Sequence, residues 1–191
     1  MTEELPQLAM RRQLANLPDL MVPPGYALRP HAPNDLSSWT QLMSENQGWG
    51  EWPLGRSTPW YGSDSPVIFS SSYFITRDGE PVATAHLSRA TVEPIGPPVE
   101  LGWVATAPRY QGRGLARTVC LAVLHAAAAA GYSEISLRTE DYRVPAIHVY
   151  LTLGFEPWLY EPTAAERWRA IRAQIAAYQL AKVRRPAPES P

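Results

Sequence analysis

Apolar residues along this chain recur with two spacings, and the alternation between them outlines the elements. Ala83, Ala85 and Leu87 fall on one side of a run whose other side carries Val82, Thr84 and His86, the period of a strand. Tyr73–Thr76 precedes it across Asp78-Gly79, which predicts a hairpin. Val99–Val104 and the alternating Ile135–Thr139 predict two further strands. Residues 112–130 carry a helical pattern that opens at glycines and closes at Gly131. Pro145 suits the first turn of a helix running to about Leu153 with Gly154 as its stop, and Phe155–Tyr160 predicts a strand. Thr163-Ala-Ala-Glu166 has the pattern of a capping box, and Trp168, Ile171, Ile175 and Tyr178 then share one face of a helix over 163–184. That face docks either on the body of the domain or on a partner subunit.

Upstream, the spacing of Leu5, Leu8 and Arg12 predicts an amphipathic helix within 3–17. Tyr26–Arg29 suits a short strand, and Leu36, Trp39 and Met43 define a helix over 34–46. Residues 47–66 read as a loop by their Gly, Pro and Ser, yet hold Trp49, Trp52, Trp60 and Tyr61. Hairpins early and strand–helix–strand units late predict an α/β (α+β) fold, a mixed sheet covered by helices.

Composition narrows the function classes. At 191 residues the chain suits one domain, with a core over about 26–160 and a disordered tail at 185–191. Lys plus Arg number 17 against 18 Asp plus Glu, which disfavours wholesale binding to nucleic acid or a membrane surface. The N-terminus lacks a signal peptide's apolar run, and the most apolar stretch, Leu121–Ala130, is too short to span a bilayer. With a single cysteine, Cys120, no intrachain disulfide forms, and a cytoplasmic location is expected. The four histidines show no metal-ligand spacing, so no metal is expected.

The clearest chemical signal follows the strand at Val99–Val104. Gln111-Gly112-Arg113-Gly114-Leu115-Ala116 opens a long helix, where unsatisfied N–H groups and the helix dipole favour an anion. The two glycines let the backbone approach a pyrophosphate, and Arg113 or Arg117 can add charge. A nucleotide P-loop would need Lys-Ser/Thr where Leu115-Ala116 stands, and a dinucleotide fingerprint would need Gly or Ala where Arg117 stands.

Gln111-x-x-Gly114-x-Ala116 after a strand and Pro108 resembles the Gln/Arg-x-x-Gly-x-Gly/Ala motif of the GNAT superfamily of N-acetyltransferases. About thirty residues on, Ala146-x-x-x-Tyr150-x-x-x-Gly154-Phe155 resembles that superfamily's second hallmark. The resemblance is specific over 99–155 and implies a splayed sheet whose fourth and fifth strands, here Val99–Val104 and Ile135–Thr139, part around the pantetheine arm of acetyl-CoA. It implies that backbone groups of Val104 and Thr106 pair with pantetheine amides and that N–H groups from Gln111 through Ala116 hold the pyrophosphate. Ala146 would leave room for the thin arm. Tyr150 would protonate the leaving thiolate, and an N–H near Val104 would donate to the oxyanion. Arg143 stands where the family commonly carries Asn, and the helical 163–184 replaces the family's frequent C-terminal hairpin.

The acceptor implied is an amine, on a small molecule or a protein. Glu100 is the first candidate base; it alternates away from Leu101 and Trp103, and its competing reading is a plain surface carboxylate. His86 is second. Trp49, Trp52, Trp60 and Tyr61 form either an aromatic wall for the acceptor or a satellite core beneath a long loop. A coenzyme A-binding module without catalysis is the alternative function. Family members are often dimers, and the apolar face of 168–178 is the candidate contact.

Overall fold

The computed structural model describes residues 6–46, 52–62, 64–90 and 96–183. Among these the chain forms seven strands and five α-helices: β1 (Leu8–Gln13), β2 (Ala27–Pro30), α1 (Leu36–Glu45), α2 (Leu54–Ser57), β3 (Tyr73–Arg77), β4 (Glu80–Arg89), β5 (Val99–Thr106), α3 (Leu115–Ala129), β6 (Glu134–Thr139), α4 (Val144–Thr152), β7 (Glu156–Trp158) and α5 (Ala164–Val183). The α/β class read from the sequence holds. The fold divides into two compact units, a larger one over residues 13–136 and a smaller one that joins the residues before it to those from 137 onward.

In the larger unit the strands follow the order β2-β3-β4-β5-β6. Neighbours run antiparallel except β5 and β6, which are parallel, so the sheet is mixed. The β3–β4 hairpin turns at Asp78 and Gly79, both with positive φ as a two-residue hairpin requires. α3 packs on β4 and β5 through Leu115, Val119, Val123 and Leu124, while α1 packs on β4 through Trp39 and Met43. With both faces covered, β4 is buried from Val82 to Ser88, whichever way its side chains point. The ladder between β5 and β6 consists of one register pair, Glu100 opposite Ser136.

One expected element is different. Residues 3–17 contain a strand, β1, rather than a helix; residues up to 5 lie outside the description. β1 runs antiparallel to β7, pairing Ala9 with Trp158 and Arg11 with Glu156, and Leu8, Ala9 and Met10 are all buried. Three consecutive buried residues are incompatible with one amphipathic helix face, and the partner strand that decides the matter lies about 150 residues away, beyond any local pattern.

In the smaller unit, α5 presents Trp168, Ile171 and Ile175 inward, and α4 packs against it. These side chains are buried within a single chain, so the face expected to serve a dimer is occupied by the protein itself. Thr163 donates its hydroxyl to Glu161 Oε2 (3.2 Å) in place of the expected capping box. Arg167 is tied down at the start of α5: Nε donates to Asp141 Oδ2 (3.0 Å), Nη2 to the Pro6 carbonyl (2.7 Å), and Nη1 pairs with Glu161. The hydrogen bonds to Asp141 raise the Arg167 pKa further. No helix among the described residues is long and apolar enough to cross a membrane.

Candidate active site

The turn after β5 is built by withdrawing side chains. Gly112 and Gly114 have φ of 79° and 81°, a region closed to most residues, and a Cβ placed at either would meet nothing within 4 Å. Gly114 caps α3 without a side-chain hydrogen bond, and its carbonyl accepts the Thr118 N–H (3.0 Å). The first-turn N–H groups of Leu115, Ala116 and Arg117 therefore have no side-chain acceptor at the positive end of the helix dipole. Gln111 steadies the turn from below, donating from Nε2 to the Thr106 carbonyl (3.2 Å). Gln111 and both glycines are exposed, Arg113 and Ala116 half-buried, and Leu115 anchors the helix start in the core. Arg113 lies over the Tyr110 ring with its Nε buried and unpartnered. An uncapped, glycine-lined helix start is the kind of backbone arrangement that favours an anion.

Just upstream, β5 carries one extra residue. His86 pairs with Gly102 and Thr84 with Ala105, so the one residue between them on β4, Ala85, faces two on β5, Trp103 and Val104. Trp103 takes up the difference with φ of 51°, a costly conformation for a bulky side chain, about 1–2 kcal/mol. The bulge turns Trp103 into an aromatic cluster: its ring centroid lies 4.6 Å from Trp60, 5.2 Å from Trp52 and 5.8 Å from Trp39. At roughly 0.5–1.5 kcal/mol per aromatic pair, these contacts offset the strain. The sequence alternation put Trp103 on the face opposite Glu100. The structure puts it on the same face: Trp39 also stacks on His86 (centroids 5.0 Å), which shares its face of β4 with Ser88, the partner of Glu100.

The cluster decides between the two readings of the 47–66 aromatics. Trp52 is 4% exposed and donates from Nε1 to Ser57 Oγ (2.8 Å), so it is core and no ligand wall. Trp60 and Tyr61 are half-buried and pack against the cluster from outside. Trp49 lies outside the described residues. The Tyr61 hydroxyl lies 2.7 Å from His31 Nδ1, and His31 Nε2 lies 2.9 Å from Thr84 Oγ1, giving each ring nitrogen a partner. Burial lowers the His31 pKa to about 3, so the ring is neutral. His86 is fully buried, with its pKa well below the ordinary value and neither ring nitrogen hydrogen-bonded. Sequence reasoning missed Trp103 and His31; no local signal marks either.

Glu100 is half-buried and sits opposite Ser88 and Ser136, where the β5–β6 ladder is closed. Four residues separate it from Val104, about 13 Å along a strand. Val104 is half-buried, and Thr106 is buried with its Oγ1 unpartnered.

In the smaller unit, Tyr150 is 7% exposed on α4, one turn after half-buried Ala146, and its ring meets Phe155 edge-on at 6.1 Å. Arg143 heads the helix and pairs with Glu140. Among the described residues no three His, Cys, Asp or Glu side chains are grouped to hold a metal.

Comparison with known proteins agrees with this arrangement. A mycothiol acetyltransferase of Nocardioides sp. is 32% identical over 167 residues, covering 76% of this chain and 55% of that protein. The chain thus spans about half the length of the curated relatives it matches. Among solved structures, a GCN5-related N-acetyltransferase from Sphaerobacter thermophilus superposes with a TM-score of 0.63 at 19% identity, covering 81% of this chain and 50% of that one. The ribosomal-protein-S18-alanine N-acetyltransferase from Escherichia coli gives 0.56 at 19%, covering 69% and 77%. At such identities these likenesses establish the fold. The model of the acetyltransferase (GNAT) family matches residues 36–155, which include the bulge, the glycine turn and Tyr150, and the chain belongs to that family.

Proposed function

We propose that this chain transfers the acetyl group of acetyl-CoA to the primary amine of a small molecule, by direct attack within a ternary complex. The observation that carries the proposal is the uncapped glycine turn directly after the bulged strand, in a chain of this family. N–H groups from Gln111 through Ala116, with Gly112, Arg113, Gly114 and Leu115 between them, bind the pyrophosphate. Backbone groups of Val104 and Thr106 pair with the pantetheine amides; the single-pair β5–β6 ladder, which leaves this end of β5 free on that edge, supports the assignment. The absence of a side chain beyond Cβ at Ala146 suits passage of the arm.

A free amine attacks the thioester carbonyl, and the tetrahedral oxyanion accepts a hydrogen bond from the Val104 N–H, which the bulge takes out of the regular ladder. Collapse breaks the carbon–sulfur bond. Tyr150 gives its phenolic proton to the departing thiolate, and the amine's proton leaves along a chain of several waters toward Glu100, about 13 Å from Val104 along β5. His86 is the poorer base, because a side chain with no exposure cannot exchange a proton with a bound amine. Trp60 and Tyr61 border the acceptor. Names of the curated relatives favour a small-molecule acceptor, and a cytoplasmic enzyme suits both the co-substrate and the single buried thiol.

The test is release of free coenzyme A thiol from acetyl-CoA with tyramine, an amino sugar, 1,4-diaminobutane and a peptide beginning with alanine. At least one amine stimulates release, and Tyr150→Phe lowers kcat by about 100-fold while changing acetyl-CoA affinity little. Binding of acetyl-CoA with no amine-dependent release would instead mark a non-catalytic coenzyme A-binding module.

A further inference from the structure

We infer that Trp103 fixes both the acceptor specificity and the shape of the oxyanion-donating bulge, and that the acceptor is an arylalkylamine whose flat ring lies against Trp103 and Trp60. The inference rests on the acetyl-transfer reading and adds to it a substrate class and a positioning residue.

Three observations converge. Trp103 is the residue that absorbs the extra position of β5, and it does so in the left-handed region, where only a strong external hold keeps a bulky residue. That hold comes from Trp39, Trp52 and Trp60. Trp39 is fully buried and Trp52 nearly so, with Trp52 fixed further by Ser57 and by Ser44 Oγ donating to its carbonyl (3.0 Å). These two rings are a rigid back wall. Trp103 and Trp60, in contrast, are both half-buried and meet at 63° with centroids 4.6 Å apart, forming an apolar corner with surface left over. The residue after Trp103 is Val104. A ligand seated in this corner therefore touches the side chain whose backbone sets the Val104 N–H.

An indole corner offers apolar and polarizable area and no formal charge. It favours an amine tethered to a flat ring by a short alkyl chain over one on a flexible polyamine chain. Tyr61, tethered to His31, closes the neighbouring side of the segment that carries Trp60.

The two roles separate experimentally, because glycine accepts positive φ without an indole and alanine has neither advantage. Tyramine and 1,4-diaminobutane are the probes, with kcat and KM measured for each. Trp103→Gly raises KM for tyramine at least tenfold and narrows its advantage over 1,4-diaminobutane. Trp103→Ala raises KM equally and lowers kcat at least fivefold below the glycine variant. Trp60→Ala, which leaves β5 untouched, raises KM for tyramine with a smaller loss of kcat, and it keeps the acceptor arm readable if Trp103→Ala fails to fold. Unchanged KM in both Trp103→Gly and Trp60→Ala overturns the acceptor corner. Equal kcat in the glycine and alanine variants overturns the positioning role. Failure of the wild-type chain to acetylate any amine refutes acetyl transfer itself, and is recognised without any variant.

Discussion

Two regions of the larger unit stand a few residues apart in sequence and are built on opposite principles. The turn at Gln111–Ala116 works by removing side chains, so that main-chain N–H groups face outward. The cluster around Trp103 works by accumulating them, so that ring packing holds a strained backbone in place. The first carries its information in the local chain. The second exists only when α1, the segment over 52–62 and β4–β5 assemble. A backbone site should therefore tolerate loss of core stability better than it tolerates one added side chain, and a packed site the reverse.

The largest effect expected is on stability. Trp39 is fully buried at the centre of the cluster, and Trp39→Ala should cost about 3–5 kcal/mol in denaturant unfolding. If the two regions are distinct, acetyl-CoA affinity of the fraction that remains folded falls far less than this; a parallel collapse of both would merge them. Next, Gly114→Glu places a Cβ at φ of 81° and a negative charge at the helix start, and should weaken acetyl-CoA binding by about 100-fold or more in calorimetry. Retained binding would move the diphosphate to another place. The smallest effect is pH-dependent. Burial holds His31 near a pKa of about 3 against 6.5 when unfolded, so the unfolded chain takes up a proton that the folded chain refuses. Stability then falls as pH drops from about 6.5 toward 3, by about 2 kcal/mol at pH 5 from this group. Fully buried His86 acts in the same direction. His31→Gln loses the hydrogen bonds to Tyr61 and Thr84 at neutral pH, yet its deficit relative to wild type should shrink between pH 7 and pH 5 in urea titrations; a constant deficit would sharpen His31 into a purely hydrogen-bonding role.

Much of this was legible beforehand. The hairpin at Asp78-Gly79, α3 between its glycines, α4 behind Pro145 and α5 all follow from short-range rules. The local pattern over 3–17 suggests a helix where the chain forms β1, because the strand that pairs with it, β7, lies about 150 residues away. For Trp52 the sequence leaves a ligand wall and a core position both open, because it shows an aromatic in a loop but not the Ser57 and Trp39 that enclose it. Thr163 turns its hydroxyl toward Glu161, two residues before it, a donor bond that the capping-box pattern over 163–166 does not encode.

What the sequence determined by itself is the class of fold, the order of its elements from β3 onward and the glycine turn with its family signature. Each depends on residues within one or two helical turns of each other, where backbone sterics and side-chain period suffice. Only the tertiary structure decided which face Trp103 takes, that Trp52 is core, and that the apolar side of α5 is already covered. Those outcomes rest on the extra residue of β5 counted against β4 and on side chains arriving from distant segments, and no local period encodes either.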